Sequence, residues 1–107
     1  MAGRDERLAA NEARARAENE ERGEWLRTHS RVLFACECCD EDCKEMISLS
    51  REEYEKVRSS PTAFAVQPGH IDDDIEYVVA RHDTHWVTEK GTPDGRRVAT
   101  ELDPRSN

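Results

Sequence analysis

The chain is 107 residues long, with 36% hydrophobic and 37% charged residues and a formal net charge of −8. That leaves room for one small core at most, which needs a staple. The charge excludes a broad footprint on nucleic acid or an anionic membrane, since phosphate binding draws on clustered Lys and Arg; no apolar run is long enough to span a bilayer. The start, MAGRDERLAANEAR, lacks the apolar stretch of a signal peptide, so the expected location is the cytoplasm, where thiols stay reduced.

From Arg4 to Arg27 the chain is Ala, Glu and Arg, with no Gly or Pro before Gly23, which predicts a long charged helix. Glu12 with Arg16 and Glu18 with Arg22 are acid-to-base pairs four apart, in the order that supports an exposed helix. Only Leu8, Trp25 and Leu26 offer much to bury, so the expectation is a solvated helix anchored by Trp25 and Leu26, with a partner-docking helix as the sharper alternative.

RVLFA, residues 31–35, reads as a short strand, and MISL, residues 46–49, as a second. Between them all four cysteines of the chain lie inside eight positions, Cys36 to Cys43. Ser50 and Glu53 match a capping box, predicting a helix over Arg51–Arg58 with Tyr54 and Val57 on one face. Ala63 to Gln67 reads as a third strand, closed by a Pro68-Gly69 turn that presents His70. Asp72, Asp73 and Asp74 precede apolar residues at helical spacing, so a short helix over 73–81 is expected, although the stretch also alternates. THWVTEK reads as a strand, and Pro93-Asp94-Gly95 as a turn opening either a hairpin over Arg97–Glu101 or a frayed tail. The predicted class is α+β: a charged helix (1–28), a metal-stapled domain of short antiparallel strands and one or two short helices (29–92), and a hairpin or flexible tail (93–107).

Clustered thiols in a reducing compartment point to metal or redox chemistry. Zn²⁺ takes four tetrahedral donors, usually Cys thiolate and His nitrogen. Cys36, Cys38 and Cys43 supply three from one turn, and His70, 27 residues beyond Cys43, is the best fourth. Cys39, His29, His82 and His85 are alternatives. Adjacent side chains in an extended segment point to opposite sides, which makes Cys39 the odd thiol out beside Cys38. An iron–sulfur cluster fits the spacing less well, since such clusters draw on more widely spaced ligands. Metal-free thiols beside Glu37, Asp40, Glu41 and Asp42 would have their reactivity blunted by the negative charge, so the carboxylates suit a cation better than a free nucleophile.

The string FACECCDEDCKEMISLSREEYEKVRSSPTAFAVQPGHIDDDIEYVVARHDTHWVTEKG resembles a group of small, mostly uncharacterised actinobacterial proteins. They carry Cys-Glu-Cys-x4-Cys, then Glu-Tyr-x2-Val-Arg, then Pro-x2-Phe-x-Val-x-Pro-Gly-His. The resemblance runs from about Asn11 to Lys90. It implies that Cys36, Cys38, Cys43 and His70 belong together and that the position of Cys39 is usually a small residue; it brings no assigned activity.

The functional expectation is a small module with a structural zinc that works through contacts with another protein, regulatory or adaptor in character. The alternative is a thiolate–zinc redox or metal sensor using Cys39. An enzyme is disfavoured: it would need an open three-cysteine zinc with Glu37 or Asp72 as base, and thiolate-rich zinc is a poor Lewis acid. The Asp72–Asp74 run is expected to be a solvated helix start, and His82 and His85 to be surface residues.

Overall fold

A computed structural model describes residues 3–105. Helix α1, Arg4–Gly23, ends in a single 3-10 turn, Glu24–Arg27. Strands β1, Arg31–Ala35, and β2, Met46–Ser50, follow, then helix α2, Arg51–Arg58, and strands β3, Ala63–Val66, β4, Glu76–Arg81, and β5, Trp86–Lys90. Helix α3, Pro93–Glu101, closes the chain. The class is therefore α+β, with a long N-terminal helix ahead of short antiparallel strands and short helices.

β1 and β2 form an antiparallel ribbon in which Leu33 lies opposite Ser48. Period-two alternation turns Val32, Phe34, Ile47 and Leu49 inward and Leu33 and Met46 outward. The second sheet has the order β3-β5-β4, all antiparallel. The capping box at α2 forms as its sequence suggests: Ser50 Oγ accepts from the Glu53 amide at 3.2 Å, and the Ser50 amide donates to Glu53 Oε1 at 2.9 Å. Tyr54 and Val57 are thereby aimed into an apolar core with Leu26, Phe34, Ile47, Leu49, Ala63 and Ala65. Tyr54 stacks on Phe34 with ring centres 4.6 Å apart. A second, smaller cluster is made of Cys36, Cys38 and Val66, with Cys43 and Trp86 against it. At that end of the molecule thiols stand where a larger domain would place aliphatic side chains.

Three expectations are corrected. The stretch 73–81 is a tight turn followed by strand β4. The acidic run makes the turn: Asp72 O accepts from the Ile75 and Glu76 amides, and Asp72 Oδ1 from the Asp74 amide. Both periodicities fit this stretch locally, and pairing with β5 settles it. The tail over 93–101 is helix α3, neither hairpin nor frayed. Thr92 Oγ1 caps it by accepting from Gly95, and Pro93 occupies the first turn, where a missing N–H costs nothing. Lastly, α1 is not a solvated helix anchored by Trp25. Trp25 is 64% exposed and only Leu26 is buried.

Helix α1 is held instead by buried polar residues. Ala9 and Ala13 lie against the rest of the fold, and Glu12, Arg16 and Asn19 are buried with them. Glu12 and Arg16 do not form the expected surface pair. Glu12 accepts from Lys90 of β5, and Arg16 donates to the carbonyls of Pro61 and Ala99 while lying over the Phe64 ring.

The far end of α1 joins a second charge network. Tyr54 donates to Glu20, which also pairs with Arg58 and Arg105, while Arg58 reaches Asp103. Burial pushes the Glu20 carboxyl up, but bonds from Arg105, Tyr54 and Arg58 outweigh it and bring it from 4.5 down to about 2. A depressed carboxylate contributes stability that is complete above its unfolded value and is lost as pH falls toward the folded one. The melting-temperature gap between the parent and Glu20→Gln should therefore be widest above pH 4.5 and close as pH falls toward 2. A gap of constant size across that range would show that ionised Glu20 is not what matters.

Candidate metal centre

Ala35 ends β1, and the chain enters the knuckle with the Cys36 amide still bonded to Glu45 O at 3.0 Å. Asp40 then turns it back: its Oδ1 accepts from the Asp42 amide and its carbonyl from the Cys43 amide. From the other sheet, β3 runs out at Val66 into the Pro68-Gly69 turn, closed by the His70 amide on Gln67 O at 2.9 Å. Gly69 has φ +89°, a conformation that favours glycine, and so the turn delivers His70 to the knuckle.

The donor atoms of Cys36, Cys38, Cys43 and His70 all lie within 4.8 Å of one another. His70 Nδ1 is 3.6 Å from Cys36 Sγ and 3.6 Å from Cys43 Sγ. A tetrahedral Zn²⁺ with ordinary bond lengths sets S···N edges of about 3.6 Å, so the four side chains fit a metal of that size. The Gln67 amide donates to Cys36 Sγ at 3.1 Å, a bond that steadies a thiolate. All four cysteines are free thiols. Cys38 is raised well above its ordinary value, first by its hydrogen bond with Cys36 and then by burial, and burial likewise raises Cys43. A divalent cation reverses that balance, so loading the site releases protons. A cleft of about 270 Å³ between α1 and the knuckle, lined in part by Asn11, Arg14, Lys44 and Cys43, gives a route in.

Glu37 alternates with Cys36 and Cys38 and turns the other way. It is buried; its amide donates to Ala65 O, its Oε1 accepts from the Ala65 amide and its Oε2 from Asn19 Nδ2, each at 2.9 Å. The knuckle is thus stitched to β3. Burial raises the Glu37 carboxyl against these bonds. Asp72 is likewise occupied, by Arg4 at 2.6 Å and the Asp74 amide. Both carboxylates considered as bases serve as braces. Asn19 also clasps β1, its side chain donating to Ala35 O and accepting from the Ala35 amide. Nothing in the linear sequence marks Asn19; the alternation around Glu37 does hint that it faces away from the thiols.

Cys39 stands outside the four-donor group. Asn11 holds its carbonyl at 3.1 Å, and it shares a small groove with Cys38, Gly69 and His70. Burial first, then the carboxylates of Glu12, Glu76 and Asp72, push its thiol up to about 11. The other histidines are elsewhere: His29 stacks on Trp25, and His82 on His85 with ring centres 4.6 Å apart. The expectation of two surface histidines fails for His85, which is buried against α2 and shifted down by burial and by His82.

No protein-family model matches the chain, and no curated protein or solved structure shows significant similarity to it. Among the described residues no helix is long and apolar enough to cross a membrane. The fold and site define an α+β chain with a three-cysteine, one-histidine cluster able to hold a metal ion.

Proposed function

We propose that this chain is a small zinc-stapled module in which Cys36, Cys38, Cys43 and His70 hold a structural Zn²⁺, acting through contacts with another protein in a reducing compartment. The observation that carries the reading is the four-donor set itself. Four protein donors close a tetrahedron and leave no position for a water, the arrangement of structural sites rather than catalytic ones. The occupied Glu37 and Asp72 support the same view. The thin core supports it too, because metal affinity gained only on folding adds to stability. Native mass spectrometry with elemental analysis tests it: one zinc per chain is expected, and a well-populated metal-free fold would sink it.

A second reading, a thiolate–metal sensor, is favoured by one observation, the groove that Cys39 shares with Cys38 and His70. Peroxide would oxidise a ligand thiolate to a sulfenic acid, giving water, and Cys39 would condense with it to a disulfide with loss of a second water, ejecting the metal. Zinc release under mild peroxide from the parent but not from Cys39→Ser would support this reading. Equal release from both would make Cys39 a bystander.

A further inference from the structure

The strand edges of this fold are closed unevenly. Glu37 pairs with Ala65 on the outer edge of β3, and a register shift between Val78 and Ala80 breaks the outer edge of β4. On β2, the Ser48 carbonyl accepts from Arg31 and the Ser50 amide donates to Glu53. On β1, Asn19 occupies the amide and carbonyl of Ala35. Backbone groups two residues apart on a strand face the same way, so those of Leu33 and Arg31 share this edge with Ala35. Among the described residues nothing takes them up. Proteins normally blunt such an edge with a charged side chain, Pro, a bulge or a covering element; residues 31–33 have no Pro or bulge, and their one charge, Arg31, is turned to Ser48 and Glu53 across the ribbon.

Beside this open edge runs a groove of about 330 Å³ between β1 and the end of α1, lined by Arg22, Trp25, His29, Arg31, Val32 and Leu33. Its chemistry differs from that of the rest of the molecule. On a chain of net charge −8, the lining carries two arginines and no carboxylate. Arg31 is committed to Glu53, but among the described residues Arg22 has only a 3.4 Å bond to Asn19 Oδ1. Trp25 and Leu33 are 64% and 60% exposed, and Met46 adds to the outer face of the same ribbon. An exposed Trp beside an Arg is the usual make-up of a binding hot spot.

We propose that this edge is a docking site for an extended acidic segment of a partner protein, which adds to the β1–β2 ribbon as a third strand. Its backbone pairs with Leu33 and Arg31. Its apolar residues lie beside Leu33 and Trp25, and an acidic residue meets Arg22. Main-chain bonds supply affinity in this mode and alternate side chains supply selectivity. A second copy of the chain fits less well, because two-fold pairing through β1 would set the Arg22 and Arg31 of one copy against those of the other. This inference deepens the protein-contact half of the proposed function and rests on it.

The test uses the full, metal-loaded chain, ¹⁵N-labelled, titrated with a capped peptide of alternating Val and Glu. A Val-Lys peptide of equal length is the control. Binding of the Val-Glu peptide alone, with slowed exchange of the Leu33 and Arg31 amides, is expected. Trp25→Ala, at an exposed position, and Arg22→Glu, at a half-buried one outside the apolar core, should each weaken binding by about tenfold or more. Three results would overturn the proposal: no binding at millimolar peptide, equal binding of the Val-Lys peptide, or protection of these amides through self-association. Failure here with one metal per chain and a metal-dependent fold would remove the edge and leave the zinc staple standing. Failure of the metal analysis would remove the staple whatever the peptide does.

Discussion

Stripping the metal with a strong chelator is expected to unfold the chain. Structural zinc in small domains carries an apparent binding free energy of about 10 kcal/mol or more. That is comparable with the whole stability of a domain this size, about 5–15 kcal/mol. The geometry explains why so much should rest on one ion. Cys36 and Cys38 are two of the three buried residues in the second core cluster, and His70 arrives from beyond the other sheet. Without the cation, that end keeps only a small apolar cluster around Val66 and Trp86, and a few hydrogen bonds, chiefly those of Glu37 with Ala65 and of the Gln67 amide with Cys36, are left to hold the knuckle on β3. Near-UV dichroism, which reports on Trp86, and a thermal melt would show it. Cys43→Ser and His70→Ala should each reproduce much of the loss. Retention of the parent melting temperature after complete metal removal would defeat the structural reading.

Lys90→Met should be among the most damaging single changes outside the metal site. Lys90 is fully buried and pairs with Glu12 of α1 and, at 3.1 Å, with Glu76 of β4, while its ammonium lies 5.6 Å from the Phe64 ring centre. Burial and the neighbouring Glu76 already raise the Glu12 carboxyl well above its ordinary value. Removing the cation leaves two buried carboxylates facing each other, at a cost of about 3–5 kcal/mol and a fall in Tm on the order of 15 °C. Replacing Glu12, Glu76 and Lys90 together with Leu, Leu and Met should cost less than Lys90→Met alone, since no buried charge is then uncompensated. Urea melts of the three proteins decide it. A single-mutant loss below about 1 kcal/mol, or a triple mutant at least as unstable as the single, would count against the triad.

The elements legible from the chain are those whose signals are local and agree. RVLFA, MISL and AFAV carry β-branched or apolar runs bounded by turn residues, and α2 has a capping box whose two bonds are made within four residues. The stretch 73–81 failed because its apolar spacing fits both a helix and a strand. Only β5, waiting for a partner, separates them. Helix α3 was hidden because Pro93-Asp94-Gly95 reads equally as a turn and, with Thr92 before it, as a capped first turn. The charged face of α1 misled for another reason. Glu12 and Arg16 are i, i+4 partners on any isolated helix, yet each has a stronger partner far along the chain, in Lys90 and in the carbonyls of Pro61 and Ala99.

By itself the sequence determined the α+β class and the candidate donors, because thiol spacing and a Pro-Gly turn before His70 are local chemistry. Tertiary structure alone decided that His70, rather than His29, His82 or His85, meets the cysteines, since that depends on how β3 lies against the knuckle. It also decided that Cys39 is left out of the four-donor group, that Glu37 is a brace, that Trp25 is left in solvent, and that Leu33 and Arg31 on β1 have no backbone partner on their outer edge among the described residues. Burial, pairing and the direction a side chain faces are properties of contacts between distant residues, and no single stretch of chain contains them.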